Sequence, residues 1–177
     1  MGIEYRISRF HDEKGNLVDL AGLPNAPRAF LSAAAKRLFN RRPLVPMISY
    51  RARKIIDGLL TPQSAMVEFG SGNSTPWFAA RTASVLSIED HHDCYTHVQK
   101  TLQAMHIKNV RHELRTEENY ADLSDVADGS LDFVLVDGTD REGCIRSVVP
   151  KLKPGAYLYL DNTDKDMTQA NGDLRRA

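Results

Sequence analysis

Cysteine is scarce in this sequence, which has only two, Cys94 and Cys144, among 177 residues. They form no CxxC pair, and this excludes the cysteine motifs of zinc ribbons and thiol-disulfide oxidoreductases. An excess of either charge is also missing, because 23 Lys and Arg balance 23 Asp and Glu. Without a basic excess, a broad nucleic-acid-binding surface is not expected.

Long apolar runs are absent as well. No stretch approaches the ~20 consecutive apolar residues of a membrane helix, and the first residues lack the apolar core of a signal peptide. The motifs of P-loop NTPases, HExxH metalloproteases and GxSxG hydrolases are not found. With 42% hydrophobic and 26% charged residues, the composition is that of a soluble globular domain. We therefore expect a cytoplasmic protein with reduced thiols and no membrane partner.

Short apolar runs alternate with helical patterns after Pro62. Near-continuous apolar strands between amphipathic helices are typical of a parallel sheet that is covered on both faces. The sequence therefore predicts an α/β fold, a Rossmann-like doubly wound parallel sheet of about five strands. The predicted strands lie at residues 65–69, 85–88, near 110, 133–136 and 156–160.

The same patterns divide the chain into three regions. Residues 1–62 are predicted as an N-terminal extension with cap helices at 28–39 and 48–60, where apolar residues recur at helical spacing. Residues 63–164 are predicted as the core domain, and residues 165–177 as a polar tail.

A glycine-containing loop follows the first predicted strand. Gly70 and Gly72 have no Cβ, so the backbone can turn tightly there and approach a bound nucleoside. The third glycine of a dinucleotide-binding loop is replaced by Thr75. Glu68 lies just before the loop, and its negative charge would repel a pyrophosphate and attract a ligand that has an ammonium group. The alternative is a glycine turn that only packs a helix on a strand.

An acid follows the second predicted strand. Glu89 lies 21 positions after Glu68, and a carboxylate at about this distance from the glycine loop accepts hydrogen bonds from the ribose hydroxyls of an adenosine cofactor. Asp90 is the alternative if the strand ends one residue later. Either acid could be an ordinary charge at a strand end, so the assignment depends on the glycine loop.

Taken together, these features resemble a class I S-adenosylmethionine-dependent methyltransferase. The resemblance includes Asp137 and Gly138 after the fourth predicted strand, and residues 67–79, 132–138 and 152–156 are similar to the small methyltransferases called type 24. It implies S-adenosylmethionine as the cofactor and methyl transfer as the activity, with Asp137 bordering the methyl-transfer site.

The resemblance also implies roles for the residues of a cofactor site. Glu68 and the glycine loop would hold the methionine moiety, Glu89 would hold the ribose, and Tyr120 after the third strand would line the adenine. The expected cofactor-binding residues are Glu68, Gly70, Ser71, Gly72, Ser74, Glu89, Asp90, Tyr120 and Asp137.

A divalent cation is a further expectation. Asp137 ends the fourth predicted strand, and Asp161 and Asn162 end the fifth, so their oxygens could meet at one edge of the sheet and bind Mg²⁺. The same trio occurs in catechol-type O-methyltransferases, which have a lysine base three residues after the first ligand. Asp140 takes that place here and is, with Asp137, a candidate catalytic residue. The alternatives are a helix cap at Asp140 and a turn at Asp161 and Asn162.

Three functional hypotheses follow. The first is methyl transfer to a small-molecule oxygen or nitrogen acceptor, and the second is a non-catalytic cofactor-binding or interaction domain. The third, an NAD-dependent oxidoreductase, is disfavoured by Glu68 and Thr75. Class I methyltransferases usually continue past strand five with a helix and a hairpin, which residues 165–177 do not predict. We therefore expect a truncated or shortened sheet whose fifth-strand edge favours a homo-oligomer.

Overall fold

The computed structural model describes residues 44–161, and within them the chain alternates helices and strands. The α-helices are α1 (Tyr50–Leu59), α2 (Thr75–Ala79), α3 (His92–Ala104) and α4 (Arg141–Val148). The strands are β1 (Ala65–Phe69), β2 (Ser84–Glu89), β3 (Val110–Leu114), β4 (Leu131–Val136) and β5 (Leu152–Leu160). Short 3₁₀ turns are formed by Glu117–Asn119 and Val149–Lys151.

All the strand pairs are parallel, and the sheet order is β3-β2-β1-β4-β5. Within residues 44–161 the first strand therefore lies at the centre of the sheet, the next two lead outward to β3, and the chain then crosses back to add β4 and β5 on the other side of β1. This is the predicted doubly wound α/β arrangement of five strands. The order reverses between β1 and β4, and such a point opens a crevice at the carboxyl ends of the strands.

Two apolar cores lie on the opposite faces of the sheet. Consecutive strand residues point to opposite faces, and Met66 and Val67 accordingly belong to different clusters. On the Met66 face, Ile56 of α1 and Trp77 and Phe78 of α2 pack against Phe133. The Val67 face is covered by α4 and by the segment after β3, and its buried residues include Phe69, Tyr120, Leu123, Val134, Val136, Cys144 and Val148.

The element boundaries differ from the predictions in small ways. The helix after the glycine loop begins at Thr75 and ends at Ala79. The strand near Val110, which has only a weak apolar pattern, is a regular five-residue strand paired with β2. The second predicted cap helix is present as α1, whereas the first, at 28–39, and the polar tail, at 165–177, lie outside the described residues.

None of the helices among residues 44–161 has the length and hydrophobicity of a membrane-spanning helix.

Candidate functional site

The carboxyl ends of β1, β2 and β4 meet at the glycine loop. The backbone N–H of Gly70 donates to the carbonyl of Ile88 at 2.9 Å, and the N–H of Asp137 donates to the carbonyl of Phe69 at 2.9 Å. The loop after β1 is thereby fixed to both neighbouring strands. This edge brings together the glycine loop, Glu89 and Asp137, as the sequence predicts.

Gly70 and Gly72 have different structural reasons to be glycine. Gly70 has a φ of +92°, and a Cβ there would lie 3.0 Å from the backbone of Asp137 and Gly138. The protein's own backbone therefore requires glycine at this position. Around Gly72 the nearest atom to an added Cβ is Ser74 Oγ at 3.8 Å. Space beside Gly72 is open to a ligand.

Glu68 is fully buried beneath the loop. Its carboxylate accepts hydrogen bonds from the hydroxyls of Ser74, Thr75 (2.6 Å) and Ser87 (2.8 Å). The prediction that Glu68 faces a ligand's ammonium group is therefore revised, because the carboxylate is enclosed by hydroxyls of its own chain. The Ser74 hydroxyl is likewise directed at Glu68 and does not cap α2.

This buried carboxylate supports the shape of the loop. Thr75 Oγ1, which donates to Glu68, also accepts from the backbone N–H of Gly72 at 3.1 Å. Burial raises the pKa of Glu68 to about 7, and the nearby charge of Asp137 acts in the same direction, against the lowering effect of the three hydroxyls. The hydroxyl of Thr75 thus links the carboxylate of Glu68 to the backbone of the loop.

The acid at the end of β2 is turned toward the glycine loop. Glu89 is buried and accepts from Ser71 Oγ at 2.9 Å and from the backbone N–H of His91 at 3.0 Å. The neighbouring acid, Asp90, is exposed and accepts from Thr139 Oγ1 at 2.9 Å. The strand ends at Glu89, and Ser71 joins this carboxylate to the loop.

Tyr120 is a core residue below the site. It is 1% exposed, and its ring packs against Phe69 with a centroid distance of 5.8 Å. Its hydroxyl is buried and has no hydrogen-bond partner in the described part of the chain, and burial raises the pKa of this hydroxyl. The prediction that Tyr120 lines an adenine pocket is therefore revised, since almost none of its surface is open to a ligand.

Asp140 is the N-cap of α4. It has a φ of +39°, and its carboxylate accepts from the backbone N–H of Gly143 at 3.1 Å. The alternative that Asp140 is a helix cap agrees with this contact, because its carboxylate accepts a hydrogen bond in the first turn of the helix. The cap is the role that these contacts show, and a role of Asp140 as a base stays a prediction.

The predicted metal ligands do not form a cation site in the described part of the chain. Within residues 44–161 there is no group of three His, Cys, Asp or Glu side chains that could hold a metal ion. Asp137 instead has a cation beside it, since the guanidinium of Arg141 lies 3.8 Å from its carboxylate. Asp161 Oδ1 accepts from the hydroxyl of Tyr159 at 3.3 Å, and Asn162 lies outside the described residues. The Mg²⁺ prediction is not supported.

Solved structures of other proteins share this architecture. A precorrin 8W decarboxylase of Methanobacterium thermoautotrophicum aligns with a TM-score of 0.54 and 22% identity, over 66% of this chain and 64% of its own. An rRNA methylase of Streptococcus thermophilus aligns with a TM-score of 0.54 and 17% identity, over 74% and 78%. A Streptococcus mutans protein in complex with S-adenosylhomocysteine aligns with a TM-score of 0.53 and 13% identity, over 68% and 72%.

The fold is that of the S-adenosylmethionine-dependent methyltransferases. The chain spans less than two thirds of the decarboxylase, 64% of its length. No family model and no curated protein sequence matches the chain, so the resemblance to type 24 stays a prediction. At this level of identity the comparison defines a methyltransferase fold and does not identify an acceptor.

Within this methyltransferase fold, the hydroxyls that surround Glu68 were not predicted from the sequence as its partners. Ser87 lies in the middle of the apolar run of β2, in register with Glu68 of β1, and both are fully buried. Buried polar side chains are nearly always hydrogen-bonded. One acid and one serine in two adjacent buried strands therefore gave a sequence signal that they are partners.

A contact between Tyr120 and Gly138 gives a stability test of this edge. A Cβ at Gly138 would lie 1.8 Å from the Tyr120 hydroxyl oxygen, so Gly138→Ala should destabilise the domain by about 1–3 kcal/mol, as overpacking does. Tyr120→Phe removes that oxygen and should be neutral or mildly stabilising, because the hydroxyl has no partner.

Urea unfolding of both single variants and the double variant measures this coupling. Tyr120→Phe should recover part of the loss in Gly138→Ala. An equal loss with and without the hydroxyl would show that the contact is not what requires glycine at position 138.

Proposed function

We propose that this domain binds S-adenosylmethionine at the carboxyl edge of β1, β2 and β4 and transfers its methyl group to a small-molecule oxygen or nitrogen acceptor. The observation that supports this best is the glycine loop held between two acids. Glu89 is hydrogen-bonded to the loop through Ser71, and Asp137 is fixed beside Gly70 by the backbone of β1.

The charge of this edge favours a cationic ligand. Glu89 and Asp137 lie beside the loop, and the buried Glu68 lies below it. Acids at this point repel the pyrophosphate of a dinucleotide and attract an ammonium or sulfonium group. This arrangement supports S-adenosylmethionine over NAD.

The residues of the site have distinct proposed roles. The open space at Gly72 accommodates the methionine moiety, and the carboxylate of Glu89 accepts from the ribose hydroxyls. Two of its acceptor positions are taken by Ser71 and the His91 N–H, and a carboxylate has further lone pairs for the ribose.

When bound, S-adenosylmethionine supplies an electrophilic methyl group. The contribution of the protein is to hold the acceptor in line with that group and to exclude water, and such positioning is a large source of rate enhancement. Asp137 borders the space in which the acceptor would lie.

Calorimetry with S-adenosylhomocysteine and NAD tests the cofactor. We expect binding of S-adenosylhomocysteine and none of NAD. Glu89→Ala should weaken binding by about 1.5–3 kcal/mol, the range for hydrogen bonds to a charged group, and Glu89→Gln should lose less.

Asp90→Ala is the matched control, because Asp90 is adjacent in sequence and its carboxylate is directed at Thr139. We expect only a small loss in this variant. If Asp90→Ala loses affinity and Glu89→Ala does not, the ribose assignment is wrong. If NAD binds and S-adenosylhomocysteine does not, the cofactor proposal is wrong.

A non-catalytic cofactor-binding domain is the second candidate, and the structure of Asp140 favours it. The candidate base is a helix cap, which leaves the chemistry to positioning. Tight binding of S-adenosylhomocysteine without methyl transfer to any of a broad panel of phenols, amines and carboxylic acids would support this second function.

A further inference from the structure

Arg141 is a buried cation at the edge of the proposed site. It is the first residue of α4 and lies on the same inward face as Cys144 and Val148, three and seven positions later. Only 8% of the residue is exposed. Since α4 starts just after β4, this inward position places Arg141 next to the carboxyl end of that strand and close to Asp137.

One N–H group of the guanidinium lacks an acceptor within the described part of the chain. Its Nε is buried without a hydrogen-bond partner among residues 44–161. The carboxylate of Asp137 lies 3.8 Å from NH2, well beyond the ~2.7–2.9 Å of a charge-assisted hydrogen bond. A buried charge without such bonds is costly, and a cation in the first turn of a helix is opposed by the helix dipole. The contacts that residues 44–161 make with Arg141 do not balance its charge.

From this we propose that Arg141 binds the carboxylate group of a ligand at the carboxyl edge of β4. Guanidinium presents five N–H donors in a planar fork that matches a carboxylate, so it can contact Asp137 and a ligand together. The nearby acid Asp137 repels a doubly charged phosphate more strongly than a singly charged carboxylate, and we therefore favour the carboxylate. The carboxylate belongs either to the amino-acid end of the cofactor, which rests on the proposed function, or to the acceptor.

The two sources are separated by paired probes. S-adenosylhomocysteine has a carboxylate, whereas 5′-methylthioadenosine has the same nucleoside and thioether without it. Benzoate and benzamide form a second pair, titrated into the free protein and into the protein saturated with S-adenosylhomocysteine. Calorimetry is run on the wild type, Arg141→Gln and Arg141→Lys, with Arg146→Gln as the control. Arg146 is on the same helix but is exposed and pairs with Glu142 at 2.6 Å.

A carboxylate from the cofactor predicts that Arg141→Gln weakens S-adenosylhomocysteine about tenfold or more, the scale of a lost hydrogen bond to a charged group. Binding of 5′-methylthioadenosine should then stay unchanged. If the carboxylate belongs to the acceptor, Arg141→Gln should leave the affinity for S-adenosylhomocysteine unchanged and should lose benzoate binding. In both cases benzamide is insensitive to the substitution, Arg141→Lys loses part of the affinity, and Arg146→Gln behaves as the wild type.

Three results would overturn the proposal. One is wild-type affinity of Arg141→Gln for every probe, another is an equal loss for S-adenosylhomocysteine and 5′-methylthioadenosine, and the third is stronger binding of inorganic phosphate than of benzoate. Thermal melting of each variant shows that it is folded. If the wild type binds neither nucleoside, the proposed function fails, while the benzoate titration of the free protein still decides the role of Arg141.

Discussion

Gly72→Val should weaken the binding of S-adenosylhomocysteine about 100-fold and leave the thermal unfolding midpoint of the domain unchanged. The new side chain enters open space, since nothing is closer to an added Cβ than Ser74 Oγ at 3.8 Å. It would therefore clash only with a ligand held by the loop, and an overpacking cost of up to about 3 kcal/mol corresponds to this loss of affinity. Calorimetry and differential scanning fluorimetry measure the two quantities.

Gly70→Ala and Gly58→Ala are the controls for this prediction. Gly70→Ala should lower the unfolding midpoint as well as the affinity, because its φ is +92° and the added Cβ meets backbone at 3.0 Å. A Cβ at Gly58, on α1, has no atom within 4 Å, and this variant should bind as the wild type does. Unchanged affinity in Gly72→Val would remove the loop from the cofactor site.

Glu68→Gln should abolish a large pH dependence of stability. Burial raises the pKa of Glu68 in the folded protein to about 7, from 4.5. Between these values the folded state holds a proton that the unfolded chain releases, so the stabilisation from Glu68 is complete below pH 4.5 and is lost as the pH rises through 7. Across this window the free energy of unfolding of the wild type should fall by about 3 kcal/mol relative to Glu68→Gln.

Urea unfolding between pH 4 and 8 measures this difference. Other groups titrate in the same window, so the quantity of interest is the gap between wild type and variant, which should change with pH. Glu117→Gln is the control, because Glu117 is an exposed acid, and its curve should run parallel to that of the wild type. A parallel curve for Glu68→Gln would show that Glu68 titrates as an ordinary carboxyl.

The sheet was predictable because the sequences of its strands are short apolar runs. The runs that contain Val67, Leu86 and Val134 are buried, and such runs occur in parallel sheets. The position of Glu89 was also predictable, since the apolar run of β2 ends there. The first helix of the predicted cap lies outside the described residues and stays a prediction. The same holds for Asn162, the third predicted metal ligand.

Side-chain roles at the site were harder to predict because they depend on contacts between distant segments. An acid before a glycine loop has the same local pattern whether it faces a ligand or is buried, and Glu68 is buried because Ser87 and Thr75 surround it. Tyr120 is buried because Gly138 leaves room for its hydroxyl. Asp140 had two interpretations of equal local support, and the backbone N–H of Gly143 decides for the cap.

The central position of β1 has a consequence for the order in which the domain can assemble during synthesis. Glu68 pairs in register with Leu135, 67 residues later, and the backbone N–H of Ala65 is bonded to the carboxylate of Asp132 at 2.8 Å. Contacts over such separations form late, because a long loop has to close before they are gained. A nascent chain that has emerged only through β3 therefore has the glycine loop but lacks β4, which forms one wall of the proposed site. A ligand of that site can gain all its contacts only after β4 has docked.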